Sequence, residues 1–167
     1  MRSRANLVLV AALVLSACAA RIPVEDGQPV SVNALHVEDR DTALVAALSQ
    51  GAAYWEVCGV HFAADRTTAA HVIDVEIVDV LPDEHAGEWY TDGVWTRMRL
   101  SRSELIQCKG AELPNAIAHE FGHAFGLVHL DGSAVMNATI QPHTELTTLD
   151  REAFRAATGR SCSESIR

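Results

Sequence analysis

Two histidines four residues apart with a glutamate beside the first, His119-Glu120-x-x-His123, are the side chains best placed for chemistry. On a helix, positions i and i+4 stand one turn apart on one face. Both imidazoles can therefore offer a nitrogen to a single ion at about 2.0–2.1 Å. Gly126 follows, and glycine can take the left-handed conformation that ends a helix. The chain can then swing so that His129 supplies a third nitrogen from another direction. Three neutral nitrogens leave the fourth tetrahedral position open to water, the arrangement of a catalytic rather than a structural zinc, so one Zn2+ is the expected cofactor. Such an ion activates water and polarises a carbonyl. Glu120 would take the water's proton as general base and pass it to a departing amine, which amide hydrolysis requires.

Other elements must hold this helix in place. Pro114 suits an early helical position, and Ile117, Ala118, Phe121 and Phe125 are available to pack beneath the histidine face. Upstream, Val30, Val32 and Ala34 alternate within a strand expected at 28–37. Leu44, Val45, Leu48, Ala52 and Trp55 then recur at helical spacing over 41–55, with Asp39 or Asp41 available as cap. Residues 57–62 and 71–81 read as strands, the second with Ile73, Val75 and Ile77 on one face, Asp74 and Glu76 on the other, and Pro82 closing it. Residues 83–93 are rich in acids and glycine, and 94–100 read as a further strand. Downstream, Thr147 and Asp150 are spaced as a capping box for a last helix that includes Phe154 and stops at Gly159. Internal repeats, low-complexity tracts and a glycine-rich phosphate loop are absent from the sequence, which removes the common nucleotide-binding readings.

A chain of 167 residues suits one compact domain. Its N-terminus reads as an export signal at 1–17: Arg2 and Arg4, an apolar run from Leu7 to Leu15, then Ser16 and Ala17. Leu15-Ser16-Ala17-Cys18 resembles the lipobox of bacterial lipoproteins, which implies acylation at Cys18, a tether at 18–28 and a catalytic domain at 29–167. Ordinary cleavage at small residues is the alternative. The expected location is the bacterial cell envelope, outside the cytoplasm and anchored by lipid. Ala19 after the Cys resembles the outer-membrane sorting pattern. Removing 1–17 takes away Arg2 and Arg4 and no acid, so the formal charge moves from −9 to −11. That balance argues against nucleic acid as a partner, since such binding calls for clustered Lys and Arg. The expected partner is a peptide or protein substrate, and the expected state is a monomer.

The run from His119 to His129 resembles the metzincin clan of zinc peptidases. Ser133-Ala134-Val135-Met136-Asn137 lies where that clan has its Met-turn, which implies that Met136 is a hydrophobic floor under the ligands. Trp55 to Phe62 and the segment from Leu146 to Gly159 extend the likeness, most closely to bacterial relatives of the matrixins. The resemblance implies an α+β fold of the zincin type. This comprises a twisted mixed sheet with a backing helix, an active-site helix crossing beneath the cleft, and a small C-terminal part carrying the last helix. It also implies that 88–100 includes the edge strand on which an extended substrate is laid. The sequence departs from the matrixins in lacking their cysteine-switch pattern around Cys58. His61, His71, His85 and His143 are too scattered to mark a second metal site. No tyrosine follows Met136, which leaves out the extra ligand of the astacins.

With Cys18 reserved for lipid, Cys58, Cys108 and Cys162 permit at most one internal bridge. Resemblance to the astacin bridge implies Cys58–Cys162, with Cys58–Cys108 as the alternative. Two other functional readings remain open from the sequence. One is a catalytically silent zinc-binding surface lipoprotein acting as adhesin or sensor, against which the intact Glu120 speaks. The other is hydrolysis of a non-protein amide such as a cell-wall cross-link.

Overall fold

The alternation of apolar and acidic residues in 71–81 builds the central strand of the sheet. In the computed structural model that strand is β3, His71–Val78. Residues 30–35, 42–63, 71–82, 86–91, 95–108 and 110–163 are described. The expected signal at 1–17 and tether at 18–28, with Cys18, Asp39 and Asp41, lie outside them. β1 (Val30–Leu35) and β5 (Trp95–Ser101) flank β3, both parallel to it. β2 (Phe62–Ala63) adds to the far side of β1, and β4 (Gly87–Thr91) runs antiparallel to β5. The order is β2-β1-β3-β5-β4, a mixed five-stranded sheet with β4 at one edge. Ile73, Val75, Met98 and Leu100 are fully buried from this sheet into the core.

Helix α1 (Thr42–Ala53) buries Leu44, Ala47, Leu48 and Ala52. It lies against α3 (Glu112–Ala124), with a short α2 (Arg102–Leu105) between them in the chain. Gly51 allows the close crossing. A methyl there would sit 2.7 Å from the Ile117 side chain and 2.9 Å from both the Ala118 nitrogen and the Pro114 carbonyl oxygen. Trp55 then locks α1 to α3: it is fully buried and its indole N–H donates to the Ala118 carbonyl at 2.9 Å. Its ring meets Phe125 and Phe154 at centroid distances of 5.4 and 5.5 Å. Burying a large apolar side chain of this kind is worth roughly 1.5–3 kcal/mol, so this aromatic cluster is a main joint between α1, α3 and the last helix, α4 (Thr148–Thr158).

The strand expected at 57–62 is mostly not a strand. Trp55 is followed by a 3₁₀ turn, Glu56–Cys58, and Gly59 ends it at φ 71°, a left-handed conformation. Val57, Cys58 and Val60 pack without sheet pairing, because the turn brings Cys58 to the C-terminal tail, and only Phe62 of this span enters the sheet. A disulfide joins Cys58 and Cys162, and Cys108 stays free. Beside the bridge, the Ser163 amide and hydroxyl both donate to the Val57 carbonyl, and Arg160 donates to that of Gly59.

Candidate metal centre

Local sequence explains how three histidines from one short stretch converge. Helix α3 presents His119 and His123 one turn apart, then stops at Phe125 and Gly126. Gly126 has φ 88°; its N–H bonds the His123 carbonyl at 2.9 Å, and the Leu127 N–H bonds that of Gly122 at 3.0 Å. This is the Schellman ending, which satisfies carbonyls that the helix leaves open. Leu127 is buried by it, and the chain returns along the helix end to deliver His129.

The ligating atoms of His119, His123 and His129 all lie within 4.8 Å of one another. His123 Nε2 is 3.0 Å from His119 Nε2 and 3.2 Å from His129 Nε2. The other ring nitrogens fix the tautomers. His119 Nδ1 lies 2.8 Å from the Val135 carbonyl and His123 Nδ1 2.9 Å from that of Leu127. A carbonyl only accepts, so each Nδ1 carries the proton and each Nε2 turns a lone pair toward the other. Lone pairs facing at such distances repel unless a cation lies between them. Zinc bonds of about 2.0–2.1 Å in tetrahedral geometry place nitrogens at nearly this spacing, so the donor set fits zinc. Burial lowers the pKa of His119. Burial, followed by the neighbouring His119, lowers that of His123 to about 4. Both shifts favour the neutral form that a metal needs. Among the described residues no other group of three His, Cys, Asp or Glu converges in this way.

A dense floor supports the triad from below. Met136 is fully buried, and a methyl on Gly122 would meet its sulfur at 2.2 Å, so the glycine between the histidines admits the thioether against the helix. Asp150 is fully buried too. Its carboxylate accepts from the backbone N–H groups of Val135 and Met136, both at 3.0 Å, from the Thr147 N–H at 2.8 Å and from the Thr147 hydroxyl at 2.7 Å. The capping box of α4 is therefore also the clamp on the Met-turn, and Val135, held by Asp150 through its N–H, orients His119 through its carbonyl. The spacing of Thr147 and Asp150 signals the cap; nothing local in the sequence signals the second task.

Glu120 is buried beneath the opposite wall of the cleft. No hydrogen bond reaches its carboxylate among the described residues, and burial pushes its pKa up to about 7. The wall above it is β4, which among the described residues forms an edge of the sheet. A groove of about 320 Å3 lined by Glu88, Trp89, Tyr90, Arg97 and Arg99 runs beside this strand. A larger cavity of about 450 Å3, near Gln50, Tyr54, Pro114 and Arg151, shares no residue with the triad.

A comparison with known protein families matches residues 31–157 to the matrixins. The chain belongs to the matrixin family. The match spans the sheet, the histidine helix, the Met-turn and nearly all of α4, so the family's fold and metal helix account for most of the described chain. A matrixin's metal is zinc, and the three histidines here can hold one. No curated protein matches the chain at a significant level.

Proposed function

We propose that this matrixin is a zinc-dependent endopeptidase, exported and anchored at the bacterial cell envelope through lipid on Cys18. The observation that carries the reading is the pairing of a converged histidine triad, with His119 and His123 held in the ligating tautomer by backbone carbonyls, and a buried carboxylate at Glu120 that no hydrogen bond reaches among the described residues. His119, His123 and His129 hold a single ion. Zinc, when bound, supplies a Lewis acid and lowers the pKa of a coordinated water to roughly 7. Glu120 would serve as general base, taking a proton from an attacking water and returning it to the leaving amine. Among the described residues no hydrogen bond favours one protonation state of this carboxyl group, which suits a group that must gain and lose a proton. Met136 packs under the ligands and Asp150 keeps the Met-turn from shifting. The unpaired edge of β4 offers its peptide groups to an extended substrate, which would add as a further strand and lie across the cleft.

The test is mass spectrometry of products after incubation with a peptide library and, separately, with purified cell wall. Peptide cleavage that stops on chelation and returns with zinc is the expected result. A parent protein that binds zinc and cleaves nothing contradicts the peptidase reading, and cleavage of cell wall alone moves the activity to a non-protein amide.

A further inference from the structure

Gly87 opens β4, and its missing side chain is occupied by the carboxylate of Glu120. A Cβ built on Gly87 would lie 2.5 Å from both Cδ and Oε2 of Glu120 and 2.8 Å from Cγ. Real Cβ atoms essentially never approach heavy atoms that closely, so a methyl here would displace either the strand or the flexible end of the Glu120 side chain. Backbone conformation does not demand glycine here, because Gly87 is not among the glycines with positive φ. Only space does.

The strand cannot easily yield that space. Gly87 pairs with Leu100 of β5, whose side chain is fully buried, and next to it the Ser101 N–H donates to the Ala86 carbonyl at 2.8 Å. Paired residues of an antiparallel ladder project to the same face, so the direction in which Leu100 enters the core is the direction in which a Gly87 side chain would enter the carboxylate. On the other side Glu120 belongs to α3, which Trp55 and the aromatic cluster hold. Two anchored backbones thus meet here, and the Glu120 side chain is the part that would have to move.

We propose that Gly87 is a positioning residue for Glu120: the bare backbone at the start of the edge strand sets where the carboxylate rests and excludes water from one side of it. This rests on the reading of Glu120 as the base. It also makes the strand proposed to receive the substrate the same strand that fixes the base, so both are registered to one backbone.

A double-mutant cycle tests the assignment with two readouts. Gly87→Ala is made in the parent and in Glu120→Ala, which removes every side-chain atom that the new methyl would strike. In thermal unfolding of the zinc-loaded protein, Gly87→Ala should lower the midpoint by roughly 2 °C or more in the parent and by less in Glu120→Ala. In turnover of a cleaved library peptide, Gly87→Ala should lower kcat by about tenfold or more with Glu120 present, with zinc still bound one per chain. On Glu120→Ala, whose own kcat is reduced, the added alanine should cost less than about twofold. If Gly87→Ala in the parent fails to fold while Gly87→Ala with Glu120→Ala folds, the coupling is likewise established. Equal losses in both backgrounds, or no loss in either, overturn the proposal. Should the parent cleave nothing, the peptidase reading falls on that result, while the unfolding cycle still decides whether Gly87 and Glu120 are coupled.

Discussion

The two walls of the cleft are built by opposite means. The lower wall, from the end of α3 through the Met-turn to α4, is specified by side chains that act: His119 and His123 bonded to carbonyls, Met136 seated on Gly122, and Asp150 accepting four hydrogen bonds. The upper wall, β4, meets Glu120 through a side chain that is not there. A metal site needs its ligands fixed by directed bonds, because a small error in nitrogen position weakens coordination. A base that must gain and lose a proton is better confined by packing than by hydrogen bonds that favour one protonation state. The floor therefore holds by bonding and the roof by exclusion.

The largest expected effect is on the floor. Asp150→Ala removes the acceptor from two buried backbone N–H groups of the Met-turn and from the cap of α4, a loss of about 3–5 kcal/mol. Zinc affinity should fall with it by roughly 10–100-fold, because Val135 no longer holds His119 at the required angle. Denaturant unfolding and a competitive zinc titration measure the two quantities. A destabilised variant with unchanged zinc affinity would show that α4 does not hold the ligand through the Met-turn.

A smaller effect tests the roof. In the metal-free protein the folded state raises the Glu120 carboxyl from 4.5 to about 7 through burial. Between those values the folded chain holds a proton that the unfolded chain has released, so this group's contribution to stability is lost as pH rises through the window. His119 and His123 act in the other sense: their folded pKa lies below 6.5, so stability is lost as pH falls below that value. Glu120→Gln removes the first contribution and keeps the second. Relative to the parent, the metal-free variant should gain on the order of 3 kcal/mol between pH 4.5 and 7. Parallel stability curves for parent and variant would show that β4 does not exclude water from the carboxylate.

The same contrast explains what the sequence discloses. The α+β class, the histidine helix, its stop at Gly126, the strand at 71–78 and the cap of α4 are all legible, because each has a periodic pattern or a local signature. The 3₁₀ turn after Trp55 is misread as strand, since Val57, Cys58 and Val60 are apolar for packing and for a disulfide 104 residues distant, and only Phe62 joins a ladder. The beginning of β4 falls in a stretch of acids and glycine that reads as a connection, because its pairing with β5 comes from tertiary placement rather than strong local propensity. The clamp on Val135 and Met136 is invisible for a similar reason: it joins residues 14 and 15 positions apart through backbone atoms, which carry no residue signature. Gly87 and Gly122 read as ordinary glycines, since only the folded neighbours reveal what a methyl would strike.

If the histidines hold the metal and Glu120 uses it, zinc content measured beside turnover in Glu120→Ala separates the two roles. One zinc per chain is expected, as in the parent, with kcat for a cleaved peptide reduced by about a hundredfold or more. Loss of zinc together with turnover, or turnover retained without the carboxylate, would contradict that division of roles.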